Sequence, residues 1–141
     1  MPGRERVLAY LDVIDRATAD VEQFTPNVFA SYAADRMKQL AVERSLHVSI
    51  EALSDLAATV CAMRRLGVPS DEEGIDAKLL HAGFLDEEQA RTLRDLRRFR
   101  NVLLHRYAEL DPSRIHAHAL RAPMEVRRIA KSLAKAAEGI A

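Results

Sequence analysis

Eight consecutive residues, Arg100-Asn101-Val102-Leu103-Leu104-His105-Arg106-Tyr107, bring together side chains suited to phosphate chemistry. Arginine is a permanent planar cation whose forked donors match phosphate oxygens. Histidine has the unperturbed pKa nearest neutrality and so can take up or release a proton. Asparagine can orient either one by hydrogen bonding, and tyrosine offers a modifiable hydroxyl.

The element carrying these residues decides whether they face one way. Asp86 as a cap, with Glu87 and Glu88 in the next turn, predicts a helix that runs through the motif and stops near Asp111-Pro112. At about 100° per residue, Phe99, Leu96 and Leu103 share the apolar side, whereas Arg94, Asn101, His105 and Arg98 share a polar stripe opposite it. His105 therefore points away from its own core. Were the helix continuous, Tyr107 would lie two turns beyond Arg100 and only about 20° from it. Leu93 and Leu104 flank Arg100 outside the main apolar arc, which predicts a second surface there, such as another copy of the chain.

Charge concentrates on the same segment. Between Arg91 and Arg106 stand six arginines (91, 94, 97, 98, 100 and 106) against the single acid Asp95, in a chain whose 21 basic and 21 acidic residues cancel. The net field of the molecule thus says nothing of nucleic acid, while this local excess suits a phosphate-rich partner. Arg94, Arg97 and Arg98 are the candidate RNA contacts.

The remaining elements also read as helices. Val7, Leu8, Leu11, Ile14, Ala17 and Val21 recur at helical spacing between Arg4 and about Phe24. Thr25-Pro26 suits the cap and first position of a second helix. That helix is predicted over about Asn27–Leu66 with a bend or break near Arg36–Gln39, its stripe of Leu46, Ile50, Leu53, Ala57 and Val60 ending at Gly67-Val68-Pro69. A loop over Ser70–Gly74, a short helix over Ile75–His81, and final helices over about Ser113–Ala119 and Pro123–Glu138 complete the reading. No repeat and no strand-like alternation is present. The expected fold is all-α, one domain over residues 1–141 forming an antiparallel up-and-down bundle of four main helices with short extra ones.

With 48% hydrophobic and 30% charged residues, the composition favours helix formers around a single core. Cys61 has no intramolecular partner, the N-terminus lacks a signal-peptide pattern, and no apolar run is expected to span a bilayer, so a cytoplasmic protein without a membrane partner is predicted. His116 and His118 would diverge by about 200° on a helix, which argues against a metal pair. His47 and His81 show no partner, and Cys61 reads as a buried small hydrophobe.

The pattern Arg-x-x-x-x-His, with Asn101 after the arginine and Tyr107 two residues after the histidine, resembles the signature of the HEPN superfamily and of its HepT toxins in particular. The stretches Ala41-Val42-Glu43-Arg44-Ser45-Leu46 and Ile50-Glu51-Ala52, and the Leu110-Asp111-Pro112 segment after the motif, fit the same likeness. The resemblance implies a metal-independent endoribonuclease with Arg100, Asn101 and His105 catalytic, acting as the toxin of a type VII-like toxin–antitoxin pair. It implies a homodimer, because one histidine cannot be base and acid at once. It further implies a minimal nucleotidyltransferase antitoxin that uses ATP and Mg²⁺ to place AMP on Tyr107 and silence the toxin. Cleavage itself would need no cofactor, and DNA, lacking the 2′-hydroxyl, would not be a substrate. This chain has neither a Gly-rich phosphate loop nor a nucleotidyltransferase carboxylate pair, so it is not the AMP-transferring partner. The alternative is a non-catalytic module that presents a substrate or nucleotide to such a partner.

Overall fold

The computed structural model describes residues 2–139; positions 1, 140 and 141 of the expected domain lie outside them. Among the described residues there are six α-helices and one 3-10 turn, with no strand. They are α1 (Gly3–Phe24), α2 (Phe29–Ala33), α3 (Arg36–Met63), α4 (Glu72–His81), α5 (Glu87–His105), the turn Tyr107–Glu109, and α6 (Pro112–Ala137). The long helices α1, α3, α5 and α6 form the expected all-α bundle. Helix α3 is its axis, packing against α1, α5 and α6. Its stripe of Leu46, Ile50, Leu53, Ala57 and Val60 is wholly inaccessible, and Cys61 lies beside it as a buried thiol.

Outside α5, five boundaries differ from the sequence reading. Thr25 ends α1 instead of opening the next helix, its hydroxyl donating to the Val21 carbonyl. The long second helix is two, and the break falls at Ala34–Asp35, where Asp35 caps α3 by accepting from the Lys38 N–H at 3.1 Å. Helix α3 stops at Met63, short of Gly67, because Arg65 already takes a left-handed turn at φ 54°, which lets the Leu66 N–H reach the Cys61 carbonyl at 3.2 Å. Helix α4 starts at Glu72, within the expected loop, because Asp71 accepts from the Gly74 N–H at 2.7 Å.

The fifth difference is α6, one continuous helix where two were expected, with Pro123 buried inside it. Proline removes one backbone hydrogen bond there, but Ile115, Ala119, Ala122, Val126, Ile129 and Leu133 hold one buried face across it. Burial of that face outweighs the local break. Helix α3 is also long and apolar enough to pass as a spanning segment, contrary to expectation, with a mean hydropathy of 1.3 over its best window; 56% of that window is buried within the bundle. Its apolarity is that of a core helix.

Candidate active site

Helix α5 carries the motif and starts with a full capping box: Asp86 accepts from the Gln89 N–H at 2.7 Å, and the Gln89 side chain accepts from the Asp86 N–H at 3.0 Å. Leu93, Leu96 and Phe99 anchor it in the core. Arg100, on the next turn, is only 6% exposed. Its Nη1 and Nη2 donate to the two carboxylate oxygens of Glu72 at 3.2 and 2.9 Å, and Nη1 lies 3.3 Å from Glu51. Its Nε and Nη2 donate to Asn101 Oδ1 at 3.2 and 3.0 Å. Five contacts thus face the five N–H donors of the guanidinium. The Arg100 guanidinium holds the Glu72 carboxyl down to about 2, against the opposing effect of burial, and the same hydrogen bond raises Arg100.

One turn earlier, Arg97 is also inside, 4% exposed, which removes it from the outer surface where an RNA contact was expected. Its Nε donates to Ser54 Oγ at 2.9 Å and its Nη1 pairs with buried Asp76. Burial pushes the Asp76 carboxyl up despite that pair, and Asp76 Oδ2 and Arg97 Nη2 find no partner among the described residues. Leu93 likewise turns inward, fully buried, so that only Leu104 of the predicted flanking pair remains at the surface, 41% exposed. The helical wheel misplaced both because it knows only one axis. Helices α3 and α4 cover the Arg97–Arg100 side, and with them come three carboxylates, Glu51, Glu72 and Asp76. The local positive excess is largely met from inside the fold.

Arg94 and Arg98 remain exposed, Arg98 lying 3.8 Å from Asp95. Asn101 is exposed but tied to Arg100. His105, the last residue of α5, stands in solvent and forms no hydrogen bond or ion pair among the described residues. The helix does not continue to Asp111: Arg106 leaves helical geometry at φ −124°, ψ 43°, and Tyr107 enters the 3-10 turn at 79% exposure. The in-line placement of Tyr107 over Arg100 therefore does not hold, since it assumed a helix. Glu51 and Glu72 were missed as site residues. The signal was present, because a segment of six arginines and one acid beside a core has to find carboxylates on other elements.

Three other histidines touch neighbouring groups of the fold. His47 receives Arg44 Nη1 at 3.2 Å from its Nδ1 and is pushed down chiefly by burial and by Arg44. His116 is buried with Nε2 2.7 Å from the Pro26 carbonyl, and His118 stacks on Phe99. No cluster of three metal-ligating side chains exists among the described residues.

The motif end thus combines a rigidly held guanidinium, an asparagine that orients it, a free imidazole and a free phenol. The family pattern described as "Ribonuclease HepT-like" matches residues 14–133, which include all of these groups. The chain belongs to the HepT-like family. Over 132 residues it is 26% identical to an Archaeoglobus fulgidus protein named "Putative RNase", covering 94% of this chain and 96% of that one. The fold of this HepT-like chain is that of a tri-AMPylated Shewanella oneidensis HEPN toxin solved with its MNT antitoxin, at TM-score 0.84 and 17% identity over 96% of this chain and 99% of the other. A toxin–antitoxin assembly solved with AMP-PNP is similar at TM-score 0.82 and 16% identity, covering 94% and 99% of the two chains. The cytosolic protein YutE of Bacillus subtilis, of unknown function, matches at TM-score 0.77 and 17% identity over 94% and 88%.

Proposed function

We propose that this HepT-like chain is the toxin of a type VII-like toxin–antitoxin pair, an endoribonuclease that cuts RNA through its 2′-hydroxyl without metal and is silenced by AMP on Tyr107. The observation that carries the reading is the exposed, uncommitted His105 placed five residues after the held guanidinium of Arg100. His105 of one protomer takes the proton from the 2′-hydroxyl as O2′ bonds to phosphorus. The P–O5′ bond breaks, and His105 of a second protomer gives its proton to the leaving O5′, leaving a 2′,3′-cyclic phosphate and a 5′-hydroxyl. Arg100, oriented by Asn101, stabilises the extra charge on the phosphorane after exchanging a carboxylate for phosphate. Exposed Arg94 and Arg98 steer the RNA backbone.

Cleavage needs no cofactor in this scheme. The partner is a minimal nucleotidyltransferase that consumes ATP with Mg²⁺ to load Tyr107, and the exposed phenol on its own turn is open to such a partner. The added phosphate then competes for arginine beside the site.

The complete engagement of Arg100 favours a second reading, a non-catalytic module that presents a nucleotide or substrate to the nucleotidyltransferase. His105→Ala separates the two. Unmodified protein with EDTA is expected to cut RNA, and the variant to lose about 10²–10⁴-fold in rate with unchanged helical content. Full activity in the variant sinks the ribonuclease, and an unchanged partner complex without any RNA cleavage by the parent supports the module.

A further inference from the structure

A cavity of about 320 Å³ opens between α5, the 3-10 turn and α6, on the side of α5 away from the Glu72 pair. Phe99 and Val102, which flank Arg100 and Asn101 in sequence, form its floor with Leu110 and Ile115. The His118 ring stacks on Phe99 with centroids 3.9 Å apart and planes 17° from parallel. Burial, then Arg121 and Arg114, push His118 down to about 4, so the imidazole is neutral at physiological pH, with Arg121 Nη2 already 3.1 Å from its Nδ1 and its ring face left as the recognition surface.

The cavity rim holds cations and acids, but the acids are already occupied. Asp111 accepts from the Ser113 N–H at 3.0 Å and from its hydroxyl at 2.8 Å, Asp95 lies 3.8 Å from Arg98, and Glu109 lies 3.9 Å from Arg106. Arg121 reaches Glu125 at 3.7 Å. Arg114 forms no ion pair among the described residues and is exposed. An apolar floor, a neutral aromatic pair and one uncommitted arginine are the parts of a site for a planar base with an attached phosphate. The volume is at the lower end of small-ligand sites, which suits one nucleoside.

We propose that this cavity receives one nucleobase of a single-stranded RNA that runs across the motif helix, with the base against the Phe99–His118 pair and its phosphate on Arg114. The proposal rests on the ribonuclease reading for the identity of its ligand, while its test is a binding measurement that needs no cleavage. The full chain carrying His105→Ala, which keeps RNA intact, is titrated with a short single-stranded RNA, an abasic ribose-phosphate chain of equal length, and free AMP. Bound RNA should shift the ring signals of Phe99 and His118 in NMR spectra, and the abasic chain should bind more weakly without moving them. His118→Ala should weaken RNA binding about fivefold or more, the low end of what one stacked base contributes. Arg114→Ala, at an exposed position without an ion pair among the described residues, should weaken it too and lower its salt dependence.

Ring signals unmoved by bound RNA, equal affinity for the abasic chain, or AMP filling the cavity while RNA does not would each overturn the proposal. Parent protein that cuts RNA although both variants bind normally removes the base site and leaves the ribonuclease standing. Parent protein that cuts nothing removes the ribonuclease, while the NMR titration still decides the cavity.

Discussion

Arg100 and His105 stand five residues apart on one helix, yet the arginine is 6% exposed with every donor engaged, and the histidine is in solvent with no partner among the described residues. The two ends of the motif therefore answer to different forces. The arginine end is part of folding: burying a guanidinium is tolerated only with carboxylates beside it, and Glu51 and Glu72 come from two other helices to supply them. The histidine end takes no part in folding and is free to meet a ligand or a second copy. For the proposed reaction, a site assembled this way would fix the group to be oriented and leave open the group that moves a proton. It also leaves no guanidinium donor idle, so a phosphate has to displace a carboxylate or Asn101.

The largest break in that comparison comes from stability. Arg97→Met leaves Asp76 buried without its cation, and loss of one partner of a buried pair costs about 3–5 kcal/mol. His105→Ala should stay within about 0.5 kcal/mol of the parent, as exposed substitutions do. Urea unfolding of the two variants measures the difference. Adding Asp76→Leu to Arg97→Met should recover most of the loss, since a buried pair with unpartnered atoms on both sides gains little over apolar packing. Equal stability of Arg97→Met and His105→Ala would mean that the arginine end is not a folding element at all.

A smaller change sharpens the same contrast from the ligand side. Glu72 is 45% exposed at its side chain, so its pair with Arg100 is screened, and Glu72→Gln should cost only about 1 kcal/mol of stability. If phosphate and carboxylate compete for one guanidinium, the variant should bind RNA about fivefold more tightly in a filter-binding or anisotropy titration at fixed salt. Weaker binding in Glu72→Gln would show instead that the carboxylate braces the arginine for its ligand.

The bundle was legible because periodicity reports burial: the α3 stripe from Leu46 to Val60 and the helix start at Asp86 need only local sequence. The exposure of His105 was legible for the same reason, lying opposite Phe99 and Leu103. What failed was everything set by a second element. Arg97 and Leu93 lie on the flank of one helix and become interior only because α3 and α4 cover them. Glu72 was assigned to a loop because Ser70–Gly74 looks polar, although Asp71 caps a helix there. Pro123 was read as a helix start because the gain from burying the α6 face across it is not a local quantity. The Tyr107 geometry failed through a single residue, Arg106, whose departure from helical angles has no evident sequence signal.

The smallest expected effect separates the carboxylate side of α5 from its cavity side by pH. A histidine titrates near 6.5 when unfolded, while His118 in the fold is held at about 4 by burial and then by Arg121 and Arg114. Between those values the unfolded chain takes up a proton that the folded one refuses, so the His118 contribution falls as pH drops from about 6.5 to about 4 and is level below. Glu72 behaves with the opposite charge and in a lower window. Its carboxyl is held at about 2 by Arg100, so its contribution is whole above the unfolded value of 4.5 and is lost as pH falls from there toward 2. Thermal midpoints recorded against pH for the parent, His118→Phe and Glu72→Gln test this, because the other titrating groups cancel in the differences. The gap between His118→Phe and parent should change between pH of about 6.5 and 4 and be flat below; the gap for Glu72→Gln should be flat above about pH 5 and close only at lower pH. A His118→Phe gap that does not vary with pH would mean that the ring is already solvated, and a Glu72→Gln gap that closes near neutrality would mean that Arg100 does not hold the carboxylate as the geometry requires.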